Sequence, residues 1–273
     1  MRIQQIYAVY FSPTENTRRI VCQGASEAAR LFQVPCRAIS LNLPKDREKV
    51  HTFSAGDLVI VGGPTYAGKL PNKILPTYQE KLIGKGTLAM AVVTYGNRSF
   101  DNSLAELCDI LDGNGFRTVA AGAFVGTHAF SDVLAPDRPD KDDLALMVRL
   151  TDMAVSKIRQ TDGMVPRLVV DGDAKAPYYV PKGVDGQPAK FLKAKPKTDL
   201  EKCVSCGLCA RQCPMGSIEP DQPSVVNGIC IKCQRCVRNC PHGAKYFDDP
   251  AFLSHVKMLE TTYQGRADNK IFI

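Results

Sequence analysis

Two stretches near the C-terminal end, CVSCGLCARQCP from Cys203 to Pro214 and CIKCQRCVRNCP from Cys230 to Pro241, constrain this chain more than any other feature. Each places three cysteines at i, i+3 and i+6, a fourth after three further residues, and a proline directly behind it. Three thiolates at that spacing can wrap three corners of a cube, while the fourth, just before proline, points away toward a neighbouring centre. Structural zinc takes two close pairs separated by a longer loop, which leaves the third cysteine of each run and the Cys-Pro step unexplained. The second run repeats the first, so residues 198–248 read as one small duplicated unit.

The chain holds 11 cysteines, an odd number, and its first residues MRIQQIYAVYF lack the layout of a secretory signal. A disulfide framework therefore fits poorly, and a reducing cytoplasm is the expected compartment. Cys22, Cys36 and Cys108 fall inside helix- and strand-like patterns, where a small buried hydrophobe is the expected role. The runs themselves resemble the bacterial two-cluster ferredoxins. That resemblance implies two [4Fe-4S] clusters with crossed ligation, the first on Cys203, Cys206, Cys209 and Cys240 and the second on Cys230, Cys233, Cys236 and Cys213.

Upstream, short apolar runs alternate with helix-like stretches to about residue 160. IYAVYF (6–11), CRAISL (36–41), DLVIVG (57–62), LAMAVV (88–93) and VAAGAFVG (119–126) predict five buried strands. Between and after them TRRIVCQGASEAARLF, NKILPTYQEKLI, SLAELCDILDGNG and DDLALMVRLTDMAVSKIRQ carry apolar residues near helical spacing. Repeated β-α order means an α/β fold with a parallel sheet and helices on both faces. Residues 1–162 form this domain, 163–197 a Pro- and Gly-rich linker draped on a domain surface, 198–248 the cysteine-bearing domain, and 249–273 a terminal helix and tail. In that helix, Asp249 and Pro250 are the expected cap and first residue, and Phe252, Val256, Leu259 and Tyr263 share the face that packs back.

Three loops leave one edge of the predicted sheet. FSPTENTRRI runs from the first strand into a helix, with hydroxyls on Ser12, Thr14 and Thr17, an amide on Asn16 and the free N–H groups of a helix start. GGPTYAGKLPN follows the third strand and TYGNRSFDNS the fourth, each setting a tyrosine beside a glycine, Tyr66 by Gly68 and Tyr95 by Gly96. Such a ring can flank a flat ligand while the backbone nears its polar edge. A phosphate loop and two ring loops at the switch point of a doubly wound sheet describe a flavin mononucleotide site.

These motifs, with GTHAFS after the fifth strand and the two cysteine runs, resemble the flavodoxin-ferredoxin fusion proteins, iron-sulfur flavoproteins of anaerobic bacteria and archaea. The resemblance implies a flavodoxin-like, doubly wound, five-stranded parallel sheet followed by a small α+β two-cluster ferredoxin-like domain. Loop residues Ser12, Pro13, Thr14, Glu15, Asn16 and Thr17 would then surround the FMN phosphate. Pro64, Thr65, Tyr66, Ala67, Gly68, Thr94, Tyr95, Gly96, Asn97 and Arg98 would surround the isoalloxazine. Glu15 stands where the family's loop, SPTGNT or SPTGTT, has glycine, and its side chain is expected to point to solvent and leave its N–H to the phosphate. His128 and Arg98 are candidates to face the flavin, and no residue is singled out as catalytic.

The formal charge of +7 shrinks to about +1 once two clusters and a phosphate, each near −2, are included. With no aromatic-basic motif and no apolar run near the ~20 residues of a membrane helix, neither nucleic acid nor membrane is an expected partner. No G-x-G-x-x-G follows a strand, so direct use of a nicotinamide is not supported. Clusters move one electron each and a flavin one or two, so the expected function is electron transfer between them. The first reading is an oxidoreductase that reduces a small-molecule acceptor at FMN, and the second a carrier between redox proteins. Expected partners are a redox-protein donor or acceptor and, in a homodimer, a second copy of the chain.

Overall fold

The computed structural model describes residues 2–161 and 165–273. The expected boundary between residues 162 and 163 falls outside them. The first part of the chain runs β1 (Gln5–Tyr10), α1 (Asn16–Phe32), β2 (Cys36–Ser40), β3 (His51–Phe53), β4 (Asp57–Pro64), α2 (Leu75–Lys81), β5 (Leu82–Gly84), β6 (Thr87–Tyr95), α3 (Ser103–Gly113), β7 (Phe116–Val125) and α4 (Lys141–Gln160). Short elements follow: β8 (Lys197–Thr198), α5 (Leu208–Arg211), α6 (Arg235–Arg238), β9 (Lys245–Tyr246), α7 (Pro250–Thr262) and β10 (Lys270–Phe272).

Five parallel strands pair in the order β2-β1-β4-β6-β7. Numbered along the chain these are 2-1-3-4-5, the flavodoxin-like doubly wound order, with its switch point between β1 and β4. Alternation along each strand feeds two cores. Val9, Val61, Ala91 and Val93 pack with Leu104, Leu107 and Leu111 of α3. Ala8, Ile60, Met90 and Val92 pack with Ile20, Val21 and Ala25 of α1 and with Met147 and Leu150 of α4. Every residue of β6 is buried, as a central strand covered on both faces must be.

Two expectations are corrected at the sheet edges. β2 is an edge strand and leaves Cys36, Arg37 and Ala38 exposed, so Cys36 is not a buried hydrophobe, whereas Cys108 is buried and Cys22 half-buried. At the other edge a sixth strand, β10, pairs antiparallel with β7 through Ile271 opposite Gly122. The sheet therefore has six strands rather than five. β10 closes an edge that would otherwise expose unpaired backbone groups of β7. Its approach is prepared by Asn269, whose Oδ1 accepts from Val125 N at 2.8 Å.

Helix starts follow their local chemistry. The Asp140 carboxylate accepts from Asp142 N (2.9 Å) and Asp143 N (3.1 Å) at the start of α4, and Asp249 Oδ1 accepts from Phe252 N (2.9 Å) before α7. The buried stripe of α7 is Phe252, His255 and Leu259, with Val256 and Tyr263 half-buried beside it. Among the described residues no helix is long and apolar enough to cross a membrane.

Gly62 lets α1 lie close over β4, because a Cβ there would stand 2.4 Å from Val21 Cγ2 and 2.9 Å from Thr17 Cγ2. Gly62→Ala should cost about 1–3 kcal/mol in chemical unfolding. Gly113→Ala, where a Cβ meets nothing within 4 Å, should stay within about 0.5 kcal/mol of wild type.

Candidate functional site

The two cysteine runs fold alike. Ser205 and Gly207 in the first, and Lys232 and Gln234 in the second, hold φ between 52° and 69°. These left-handed residues turn each run back into a single helical turn, α5 or α6. β8 and β9 pair antiparallel, Lys197 with Tyr246 and Thr198 with Lys245, which ties the ends of the unit together.

The turns gather the thiols into two sets. Cys203, Cys206, Cys209 and Cys240 line one cavity with Val204, Pro223 and Lys245. Cys213, Cys230, Cys233 and Cys236 line a second, walled by Pro196, Met215, Ile218, Ile231 and Phe247. Each set mixes three cysteines of one run with the last cysteine of the other. The first cavity is the outer one, since Cys206 and Val204 are exposed. The second is the inner one: Cys233 is 8% exposed, and Met215 and Ile231 pack against the sheet's core.

Both cavities suit an iron-sulfur cluster. Four cysteines line each of them. Backbone amides already face the sulfurs, with Ser217 N donating to Cys213 Sγ (3.4 Å), Lys232 N to Cys230 Sγ (3.4 Å) and Ala244 N to Cys240 Sγ (3.3 Å). Burial pushes the Cys233 thiol up to about 12 and raises Cys230 and Cys236 as well. Such thiols release their protons to a bound cationic centre rather than to water. Burial also acts against ionisation of Cys240, but the amides of Ala244, His242, Lys245 and Gly243 outweigh it and hold that thiol below its ordinary value.

The inner set docks on the edge of the sheet where β1, β4 and β7 end. Arg235 Nη1 donates to Pro13 O (2.6 Å), Ser12 O (3.4 Å) and Glu15 Oε1 (3.1 Å). Arg238 donates to the carbonyls of Ala129 (3.1 Å), His128 (3.0 Å) and Ser131 (2.9 Å) and pairs with Asp132. From the sheet side, Arg47 Nη2 donates to Pro214 O at 2.6 Å. On the ring loop, the Tyr66 phenol is raised well above its ordinary value by burial and then by the neighbouring Cys233 and Cys230 thiols.

The loop after β1 runs directly into the start of α1. Glu15 adopts φ 67° immediately before α1, a conformation that costs a residue with a Cβ. Its carboxylate does not point to open solvent but is held by Arg18 (2.9 Å) and Arg235 (3.1 Å), and its N–H leans toward Ser12 O (3.4 Å). The amides of Asn16 and Thr17 open α1 and have no acceptor inside it. Buried hydroxyls fix the loop: Ser12 Oγ accepts from Arg18 N (3.0 Å), and Thr17 Oγ1 meets Thr94 Oγ1 at 2.6 Å, joining the start of α1 to the end of β6. The Asn16 side chain donates to Thr127 O (2.9 Å).

The ring loops are more committed than their sequence suggests. Tyr95 turns inward, its ring buried 5.7 Å from Phe100 and its hydroxyl donating to Asp268 O. Asn97 Nδ2 donates to Tyr263 O (2.6 Å) and Gly265 O (2.8 Å) of the tail. Arg98 pairs with Asp101 and lies 4.0 Å over the Tyr179 ring. Pro64 ends β4, and Thr65 binds the β6 loop through Thr94 O (2.7 Å) and Ser103 Oγ (2.6 Å). Gly68, at φ 80°, faces Asp101. His128 lies against Gly96, and its Nδ1 accepts from Phe130 N (3.1 Å). Burial, then His255, Arg238 and Arg98, hold it neutral down to about 4, which suits a packing role.

The linker forms a strap across these loops. Tyr179 N donates to Ala67 O (2.8 Å), Tyr178 OH to Leu70 O (2.8 Å) and Asp173 N to Asn102 Oδ1 (2.8 Å). Lys69 anchors it, bonding Ala174 O (2.8 Å) and Ala176 O (3.0 Å) while pairing with buried Glu106 at 3.0 Å. Sequence patterns gave no sign of the strap tyrosines or of Arg235 and Arg238, whose acceptors are mostly backbone carbonyls. Lys69→Met should destabilise the chain by about 3–5 kcal/mol, because Glu106 stays buried without its cation. Limited proteolysis should then cut within 170–180, where wild type resists.

Residues 196–219 match a family described as a 4Fe-4S binding domain, and residues 227–248 match a second family of that description. No curated protein matches the sequence. Solved structures with a similar shape include an archaeal flavodoxin, at 14% identity over 57% of this chain and 100% of that one, with a TM-score of 0.38. The flavodoxin of Streptococcus pneumoniae TIGR4 gives 16% identity over 56% and 99%, TM-score 0.41. Rubredoxin oxygen:oxidoreductase of Desulfovibrio gigas gives 15% over 58% of this chain and 37% of its own length, TM-score 0.39. Strand order, not these distant likenesses, defines the fold. The chain joins a flavodoxin-type 2-1-3-4-5 sheet to two 4Fe-4S binding domains, which is the architecture of a flavodoxin-ferredoxin fusion.

Proposed function

We propose that this chain is an iron-sulfur flavoprotein that passes single electrons between an outer [4Fe-4S] cluster, an inner [4Fe-4S] cluster and FMN. The observation that carries the reading is the seam: Met215 and Ile231 of the inner cavity pack against the sheet's core, while Arg235, between Cys233 and Cys236, bonds the carbonyls of Ser12 and Pro13 in the loop after β1. Cys203, Cys206, Cys209 and Cys240 would hold the outer cluster, and Cys213, Cys230, Cys233 and Cys236 the inner one. Electrons would enter or leave at the exposed outer site.

Ser12, Thr14, Asn16 and Thr17, with the amides that open α1, would bind the FMN phosphate, and residues 64–68 and 94–98 would border its ring. When bound, FMN and the clusters supply conversion between one- and two-electron chemistry. The chain's contribution is to orient the flavin against the inner cluster and to keep water from the ring loops with the strap and tail. That cover favours the second reading of the acceptor. With Tyr95, Asn97 and Arg98 engaged by protein partners, a carrier between redox proteins fits better than an enzyme with an open flavin pocket.

Crossed ligation makes a separable prediction. Cys213→Ala should abolish the inner cluster's signal in electron paramagnetic resonance while the outer signal persists, and Cys240→Ala should do the reverse. Loss of the signal belonging to each residue's own run would contradict the assignment. The acceptor class is tested by stopped-flow reoxidation of the reduced holoprotein. Small redox proteins should reoxidise it at least about tenfold faster than small-molecule acceptors at equal concentration, and the opposite ranking would restore the small-acceptor enzyme.

A further inference from the structure

The two cysteine runs differ where they turn. Between its second and third cysteines the first run has Gly207 and Leu208, and the second has Gln234 and Arg235. Gln234 is 5% exposed, lines the inner cavity, and its Nε2 is buried without a protein acceptor. A buried donor left in that state costs about 1–3 kcal/mol, and a glycine in its place would fit the left-handed backbone (φ 62°) without strain. Both terms argue against glutamine here unless its amide meets an acceptor. The chemistry of the inner set supplies one, since a sulfur of an iron-sulfur cluster accepts hydrogen bonds and gains charge on reduction.

We propose that Gln234 is a tuning residue that donates its side-chain amide to the inner cluster and raises that cluster's reduction potential. The inference rests on the two-cluster reading above. Arg235, whose Nε is also buried without a partner, and Lys232 flank the inner thiols, where the outer run has Leu208 and Ser205. The outer cavity has one buried cation of its own, Lys245, tied to Thr198 Oγ1 (2.7 Å) and to Pro223 O. On the outer side Arg211 Nη1 also donates to Cys206 O (2.9 Å), and Arg235 is already paired with Glu15 (3.1 Å). Cations thus flank both sites, and the buried amide of Gln234 is what the outer run, with Gly207 at that position, lacks.

The test is a potentiometric titration of the reconstituted holoprotein followed by electron paramagnetic resonance, with the inner signal identified as the one that Cys213→Ala removes. Gln234→Gly copies the outer run and relieves the backbone, and Gln234→Leu removes the amide while keeping bulk. Both should shift the inner cluster's reduction equilibrium about tenfold toward the oxidised form, about 59 mV for one electron, and leave the outer cluster unmoved. An unchanged or raised inner midpoint, or a shift confined to the outer cluster, would overturn the tuning role while leaving the two-cluster reading intact. A wild-type protein that holds a single cluster would overturn both.

Discussion

The arrangement depends on a few arginine-to-carbonyl contacts at the sheet's C-terminal edge. Loops that leave parallel strands end with unpaired carbonyls, and these need donors once another domain covers them. Arg235 and Arg238, one turn apart on α6, meet that need from the cluster side, and Arg47 meets it from the sheet side. A guanidinium suits this task because it carries five donors in a fixed fork and stays charged when half-buried. The same contact links the helical turn between the inner cysteines to the loop after β1.

Around that seam the chain's irregular segments act as fasteners. The strap between the domains is held by the buried Lys69–Glu106 pair, and the tail by Arg138, whose guanidinium pairs with Asp143 and reaches Ala267 O at 2.6 Å. Both fasteners end on the loops after β4, β6 and β7. The covering is therefore built from backbone groups of residues 170–180 and 263–269 rather than from a separate lid. The outer cysteines are the open end of the arrangement, with Cys206 and Val204 exposed.

How much of this is legible in the sequence follows from the range of each interaction. The five parallel strands come from local periodicity and appear where the sequence sets them, whereas the crossed grouping of the eight cysteines is what the ferredoxin resemblance implies, and the two cavities are lined by cysteines grouped in that way. β10 is three residues long, too short for any pattern, and exists because β7 offers it an edge. Tyr95 reads as a ring-flanking residue, yet its hydroxyl is taken by a tail carbonyl more than a hundred residues away. Glu15 reads as a lost glycine, but its left-handed backbone keeps the loop's shape and its carboxylate serves the seam. The contrast between CGLC and CQRC lies in the sequence, but the burial of the Gln234 amide without a protein acceptor is seen only in the cavity.

The central claim is that the inner cluster, not the outer, abuts the flavin site. Anomalous iron scattering from crystals of the holoprotein with FMN tests it directly. The account predicts two iron peaks, one inside Cys213, Cys230, Cys233 and Cys236 and nearer the flavin, the other inside Cys203, Cys206, Cys209 and Cys240 and farther from it. Flavin density placed nearer the outer peak, or away from the loops after β1 and β4, would contradict it.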